Sequence, residues 1–351
     1  MSLFTSELSR YVSSIESYLA HHIPQSLWSY GNDRWKDQIH SFVLTGGKRL
    51  RPALAMMMAD ELDYPSSESL AVFCALELFH DFILAHDDII DRDAVRRNQP
   101  TLHTAMQANL VDLTIADRQH FGHAQAIIGG DVLYALSQEC IIDSDLKSSR
   151  KIALLKLMTQ TMQSVARGRY KQFLSDYLPI SAVNLDYIIT HNLIDVTGSY
   201  TFLFPLLFGH VIATGETAID PELQTFAHEL GIVFQTGDDV IGLFGDPSVT
   251  GKSDSGDIIQ GKKTVPMYFA YQHAPAEDKV FLEEHLGKKD LSDTDIVRIK
   301  QIVTDYGMEP TKQFLSNHAQ LCRESLARLP YSDHWKSIFS DLIDYLMERK
   351  F

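Results

Sequence analysis

The residues best suited to chemistry lie in His80-Asp81-Phe82-Ile83-Leu84-Ala85-His86-Asp87-Asp88-Ile89-Ile90-Asp91. At about 100° per residue, His80, Leu84, Asp87 and Asp91 fall on one stripe of a helix. Asp87 and Asp91, one turn apart, can address the same cation. Asp87, Asp88 and Asp91 repel one another unless a positive group joins them. Magnesium suits that role, because it takes hard oxygen ligands, keeps waters and bridges to phosphate. A solvated acidic patch at a helix end is the bland alternative. Val72, Phe73, Leu76, Leu78, Phe79, Phe82 and Ile83 favour a site, since the acids then close a buried helix.

A second acidic pair, Asp238-Asp239, ends the apolar stretch that includes Phe234-Gln235-Thr236-Gly237. One pair alone is weak. Two pairs closing separate apolar helices are expected to face each other across a bundle and share a metal cluster. Cations accompany both. Gly46-Gly47-Lys48-Arg49-Leu50-Arg51-Pro52 precedes a helix, Arg96-Arg97 follows the first acidic motif, and Gly251-Lys252 and Gly261-Lys262-Lys263-Thr264 follow the second. Arginine forks suit phosphate oxygens, lysines supply point charges, and glycines let the backbone approach an anion. Taken singly, each cluster is more often a solvated loop than a site. In a chain of net charge −15 their placement beside acidic motifs and helix starts forms a pattern. Carboxylates for metal and cations for phosphate, within apolar helices, imply a diphosphate substrate with a hydrophobic tail.

The elements that must position these groups read as helices. Apolar residues recur at three- and four-residue spacing, with little period-two alternation. The expected helices are 4–21, 33–45, 50–62, 67–92, 101–110, 122–141, 149–177, 183–214, 221–243, 263–273, 292–306, 309–326 and 332–349. Ser66 or Ser67, Asp220-Pro221 and Ser332-Asp333 read as start signals. Gly245-Asp246-Pro247 and Gly307 read as stops, and Pro205 as a kink. No repeat and no Gly/Ser- or Pro-rich linker divides the chain, so the expectation is all-α: one domain over 1–351, a single large helical bundle around a central cavity.

The bulk composition sets limits. Of 351 residues, 45% are hydrophobic and 22% charged, which argues for a globular chain. Cys74, Cys140 and Cys322 are scattered without CxxC spacing and read as small buried hydrophobes in a reducing compartment. The acidic balance argues against nucleic acid as a partner. Residues 1–20 lack a basic region followed by an apolar run, so no secretory signal is expected. Thr201–Thr214, the most apolar stretch, is too short to span a bilayer. The expected compartment is the cytoplasm.

With these motifs assembled, the chain resembles the trans-isoprenyl diphosphate synthases, the polyprenyl synthetase family, over nearly its whole length. The resemblance rests on GGKRLRP at 46–52, HDDIIDRDAVRRNQPTLH at 86–103, GGD at 129–131, TGSYTFLFPLLFG at 197–209 and FQTGDDVIGLFGDPSVTGKSDSGDIIQGKKT at 234–264. It implies an isoprenoid synthase-type fold, a homodimer and three magnesium ions per site. Asp87 and Asp91 would bind two of them and Asp238 the third, with Asp88 and Asp239 assisting. Arg96, Lys252 and Lys262 would hold the allylic diphosphate. Lys48, Arg51, His80 and Arg97 would hold isopentenyl diphosphate, flanked by Phe234. Thr197 and Gln235 would stand near the reacting carbons. The implied reaction ionises the allylic C–O bond; the isopentenyl double bond attacks the cation, and the departing diphosphate takes the proton, so no side-chain base is required.

Two positions depart from the family pattern. Val196 stands where the family has a lysine before threonine, and Gly242 where the commoner DDxxD form has its third aspartate, with Asp246 one turn further on. The chain-length positions are Phe82 and Ile83, and a bulky Phe82 without an insertion between Asp88 and Asp91 resembles geranylgeranyl diphosphate synthases. Three other readings stand beside this one. A class I terpene cyclase leaves GGKRLRP and Gly261–Thr264 unexplained. A helical phosphohydrolase built on His86-Asp87, with His80, His103, His120 and His123, lacks a second motif. A regulatory, catalytically weak subunit of a heteromeric synthase draws on Val196 and Gly242 alone.

Overall fold

The computed structural model describes residues 2–27, 33–110, 112, 114–246 and 254–348. The fold is all-α; among the described residues the β structure is confined to one two-residue hairpin. Two compact units divide the chain. The first comprises Met1–Phe4, Leu157–Phe204 and Ala218–Phe351, the second Thr5–Lys156 and Pro205–Thr217.

The second unit holds most of α1 (Leu3–Leu27), then α2 (Asp33–Leu44), α3 (Leu50–Glu61), α4 (Leu70–Ile90), the hairpin β1 (Val95–Arg96) and β2 (Gln99–Pro100), α5 (Leu102–Gln107), α6 (Ile115–Ile142) and the start of α7 (Ser148–Asp176). Helix α4 packs mainly on α6 and also touches α2, α3 and α5. Its residues from Val72 to Phe79 are buried all round, including Glu77, as an interior helix requires. It begins after a 3-10 turn, Ser66–Ser69, so the expected start near Ser67 is a turn. There the Ser66 backbone N–H donates to Asp60 Oδ1 (2.9 Å).

The first unit carries the rest of α7, α8 (Leu185–Tyr187), a π-helix over Ile188–Leu203, α10 (Pro221–Phe244), α11 (Gly256–Gln260), α12 (Val265–His273), α13 (Ala276–His285), α14 (Asp293–Ile302), a π-turn Val303–Gly307, α15 (Met308–Arg328) and α16 (Asp333–Met347). The π-helix runs on into α9 (Phe204–Thr214), and the change from π to α geometry falls beside Pro205, where the sequence places an interruption. Pro221 sits in the first turn of α10 and Asp220 caps it, accepting from the Glu222 N–H (2.9 Å); Ser332 caps α16 by accepting from the Trp335 N–H (3.2 Å). Gly307 does not stop a helix. A Cβ there would lie 2.4 Å from the Pro266 carbonyl, so glycine lets α12 pass close to the π-turn. Helix α10 is the core of this unit, packed on the π-helix, α15 and α16.

Two helical stretches, Ser66–Ile90 and Leu185–Thr214, are long and apolar enough to cross a membrane by length and composition. Their most apolar windows are 67% and 78% buried inside the protein, which is the environment of core helices.

Candidate active site

Each unit carries an aspartate pair in the C-terminal part of one buried helix, Asp87-Asp88 in α4 and Asp238-Asp239 in α10. In the second unit, α4 delivers Asp87 and Asp91 half-buried, and Asp88 fully buried. Arg96 on β1 grips Asp88: its Nε donates to Oδ1 at 2.8 Å and its Nη2 donates to the same oxygen. Asp88 is thereby a structural counter-charge, and Asp87 and Asp91 stand half-buried one turn apart. The hairpin that carries Arg96 turns through Arg97 and Asn98, both left-handed (φ 53° and 59°), the geometry of a type I′ turn.

Arg97 then reaches back to the glycine pair, where its Nη1 donates to the Gly46 carbonyl. Gly47 has φ +146°, and a Cβ on it would lie 2.9 Å from both Arg97 terminal nitrogens. The glycines of GGKRLRP therefore form the seat of Arg97. Arg51 and Arg97 lie close enough to His80 to act on its charge. Burial first, then Arg51, Arg97, Arg96 and Arg49, hold the His80 imidazole neutral, well below the ordinary histidine range. Lys48 is exposed and Arg51 half-buried.

Arg49 departs from the sequence expectation. It is 1% exposed and bonded to Glu16 Oε1 (2.5 Å), Glu77 Oε1 (2.8 Å) and the Val43 carbonyl (2.7 Å), so one of the motif's three cations belongs to the core. Asp81 was not singled out from the sequence. It is 2% exposed, its Oδ2 has no hydrogen-bond partner, and it lines a small cavity with Thr45, Arg96 and Arg97. Burial, then Glu77, push its carboxyl well above the usual range. An acidic residue inside an otherwise apolar helical stretch was the available signal.

In the first unit, the Thr197 hydroxyl donates to Gln235 Oε1 (2.7 Å), and Gln235 Nε2 donates to Asp239 Oδ1 (2.8 Å). This relay runs from the π-helix to the end of α10 and fixes which way the Gln235 amide points. Asp238 is half-buried. Asp239 is 8% exposed, and its carboxyl is pushed up to about 8 by burial and then by the negative charge of Asp257. Phe234 meets Phe202 edge to face at 5.5 Å.

Asp257 resolves the Gly242 departure. A Cβ at Gly242 would lie 2.6 Å from Asp257 Oδ2, so the volume a third motif aspartate would use holds a carboxylate from α11. Asp246 is exposed. Lys262 Nζ pairs with Asp257 Oδ1 at 2.9 Å. Lys263 is 2% exposed and donates to the Asp176 and Gly261 carbonyls (2.9 and 2.7 Å), so this cation of the motif also belongs to the core; burial lowers its pKa to about 8. Lys252 lies outside the described residues.

Among the described residues no three His, Cys, Asp or Glu side chains converge on one point. The chemistry of the accessible donors, carboxylate oxygens alone with Asp87 and Asp91 one turn apart, nevertheless fits a hard divalent cation.

An all-α protein that places aspartates in the C-terminal parts of two buried helices and sets arginines and lysines beside them has the parts of a diphosphate-handling enzyme. The sequence model of the polyprenyl synthetase family matches residues 33–304. The chain belongs to the polyprenyl synthetase family, and it is a prenyltransferase. It is 29% identical over 339 residues to the geranylfarnesyl diphosphate synthase of Aeropyrum pernix, covering 94% of this chain and 99% of that protein. It is 25% identical over 329 residues to the geranylgeranyl diphosphate synthase of Saccharolobus solfataricus, covering 93% of each. The crystal structure of the Corynebacterium glutamicum geranylgeranyl pyrophosphate synthase, complexed with isoprenyl diphosphate and magnesium, superposes with a TM-score of 0.83 at 28% identity, covering 100% of this chain and 99% of that one.

Proposed function

We propose that the protein is a magnesium-dependent trans-prenyl transferase that condenses isopentenyl diphosphate with an allylic diphosphate head to tail, giving geranylgeranyl diphosphate. The observation that carries this reading is the half-buried Asp87–Asp91 pair, one helical turn apart beside the Arg96–Asp88 ion pair. It lies in a chain that matches a prenyl diphosphate synthase along 99% of that enzyme's length.

Asp87, Asp91 and Asp238 would hold three magnesium ions with the allylic diphosphate, with Asp88 and Asp239 in support. When bound, magnesium would supply the positive charge that offsets charge developing on the leaving diphosphate. Arg96, Lys252 and Lys262 bind that diphosphate. Lys48, Arg51, Arg97 and neutral His80 bind isopentenyl diphosphate, the imidazole serving as a hydrogen-bonding group among guanidiniums. Thr197 and Gln235 present polar atoms to the reacting carbons, and Phe234 with Phe202 keeps water from the cation. The reading takes 1–351 as one catalytic domain acting in the cytoplasm as a homodimer.

Phe82 forms the floor for the growing chain, with Ile83 beside it. Its ring packs in an aromatic group, tilted against Tyr134 (5.0 Å) and Phe79 (5.9 Å) and edge-on to His86 (4.9 Å), which gives the floor rigidity. The test is to incubate the protein with magnesium, isopentenyl diphosphate and each of the C5, C10 and C15 allylic partners, then read product length by chromatography. A C20 product is expected, abolished by EDTA and by Asp87→Ala and lengthened by Phe82→Ala. No elongation with any partner would point to the regulatory-subunit reading, which Val196 alone now favours.

A further inference from the structure

Glu77 and Asp81 stand one turn apart on α4, each 2% exposed. Arg49 serves them unequally. Its Nη1 donates to Glu77 Oε1 (2.8 Å), its Nε to Glu16 Oε1 and its Nη2 to the Val43 carbonyl, so all three nitrogens are engaged away from Asp81. Asp81 Oδ2 has no hydrogen-bond partner, although Asp81 lines a cavity with Thr45, Leu84, Arg96 and Arg97. The two guanidiniums at that cavity bond elsewhere, Arg96 to Asp88 and Arg97 to the Gly46 carbonyl. Among the described residues no hydrogen bond or ion pair joins Asp81 to Arg97.

A buried carboxylate without a partner is costly, and it escapes the cost by taking a proton. Glu77 adds a like charge one turn away. Burial, then Glu77, outweigh the opposing pull of Arg49, Arg97 and Arg51 and raise the Asp81 carboxyl well above the usual range. His80, beside it on α4, is held neutral. The cavity measures about 10 Å³, room for one water and not for a substrate, so Asp81 acts through Arg97 and not on a phosphate directly.

We propose that Asp81 is a positioning residue for isopentenyl diphosphate: as an uncharged carboxyl behind Arg97, it leaves that guanidinium in the seat of Gly46 and Gly47 with its charge available to the diphosphate. The proposal rests on the prenyl transferase reading and deepens its isopentenyl site. The seat is close, since a Cβ on Gly47 would lie 2.9 Å from both Arg97 terminal nitrogens. An ionised Asp81 would compete for the guanidinium and draw it off the glycines. Affinity for isopentenyl diphosphate is therefore greatest while Asp81 holds its proton, and it falls as rising pH removes that proton.

The experiment compares wild type with Asp81→Asn, which keeps the shape of an uncharged carboxyl, and repeats the change in an Arg97→Gln background. Steady-state kinetics with magnesium and both substrates are run from neutral to alkaline pH, and infrared difference spectra of wild type and Asp81→Asn are recorded at neutral pH. The spectra should show the carbonyl band of a protonated carboxyl. At neutral pH the KM for isopentenyl diphosphate should agree within about twofold between the two proteins. In alkaline buffer the wild-type KM should exceed that of Asp81→Asn by about tenfold, the worth of a charge-assisted bond lost to competition, while their allylic KM values stay equal. Without Arg97 the Asp81→Asn change should have no effect on KM at any pH. Absence of the carbonyl band overturns the proposal, as do coincident pH profiles or an alkaline difference that survives Arg97→Gln. A loss of isopentenyl affinity in Asp81→Asn at neutral pH, by about tenfold, overturns it too, because the negative charge would then be in use. A wild-type protein that elongates no allylic partner would refute the transferase reading, while the infrared band would still decide whether Asp81 is uncharged.

Discussion

Identical residue types in one short motif carry opposite duties here. Lys48 is exposed and Arg51 half-buried, yet Arg49 between them is 1% exposed among Glu16, Glu77 and the Val43 carbonyl. Lys262 pairs with Asp257, while its neighbour Lys263 is enclosed by carbonyls. Burial and partners, set by distant helices, decide which cations are available to a substrate. Gly242 makes the same point for the acids. With Asp257 Oδ2 2.6 Å from a Cβ built at 242, Gly242→Asp would crowd and repel that carboxylate instead of completing the motif. It should lower kcat by about tenfold or more, because small misplacements in a reacting site are costly. The combination Gly242→Asp with Asp257→Gly should recover much of the rate in the same assay. A faster Gly242→Asp single variant would refute this account of the departure.

At the scale of elements, the parts legible in the sequence are those governed by local physics. The acidic stripe of α4 follows from helical period, and Asp220-Pro221 and Ser332 mark their helices because capping is a local hydrogen bond. Helix α13, Ala276–His285, escaped because its AEDKVFLEEH sequence is largely polar, with Leu282 its one buried residue. The β1–β2 hairpin escaped because its turn uses Arg97 and Asn98 rather than glycine. The π-helix has no compositional signature; its wider turn is a tertiary result, visible in how Gly198 meets Gly231 on α10. A Cβ at Gly231 would lie 2.1 Å from Gly198 Cα. Gly231→Ala should therefore cost about 1–3 kcal/mol by overpacking, measured by denaturant unfolding, and displace Thr197 and Gln235 enough to slow turnover. Unchanged stability would show that the two helices have slack.

At the scale of the whole molecule, the family assignment and the all-α fold agree with the sequence expectation, and the match extends along nearly the full chain. Product length is less legible. Phe82 and Ile83 are both buried, and relatives at similar identity are named for geranylfarnesyl and geranylgeranyl products. The aromatic group around Phe82 is drawn from two helices, α4 and α6, which no single motif encodes.

The central claim is that the aspartates ending α4 and those ending α10 serve one reaction. Its most direct measurement is transfer of label from isopentenyl diphosphate into a solvent-extractable product, with an allylic partner and magnesium, in wild type, Asp87→Ala and Asp238→Ala. Wild type should transfer label, and each single substitution should remove transfer by about a thousandfold, as expected when charge stabilisation at a reacting centre is lost. Near-wild-type transfer by either variant would contradict the account.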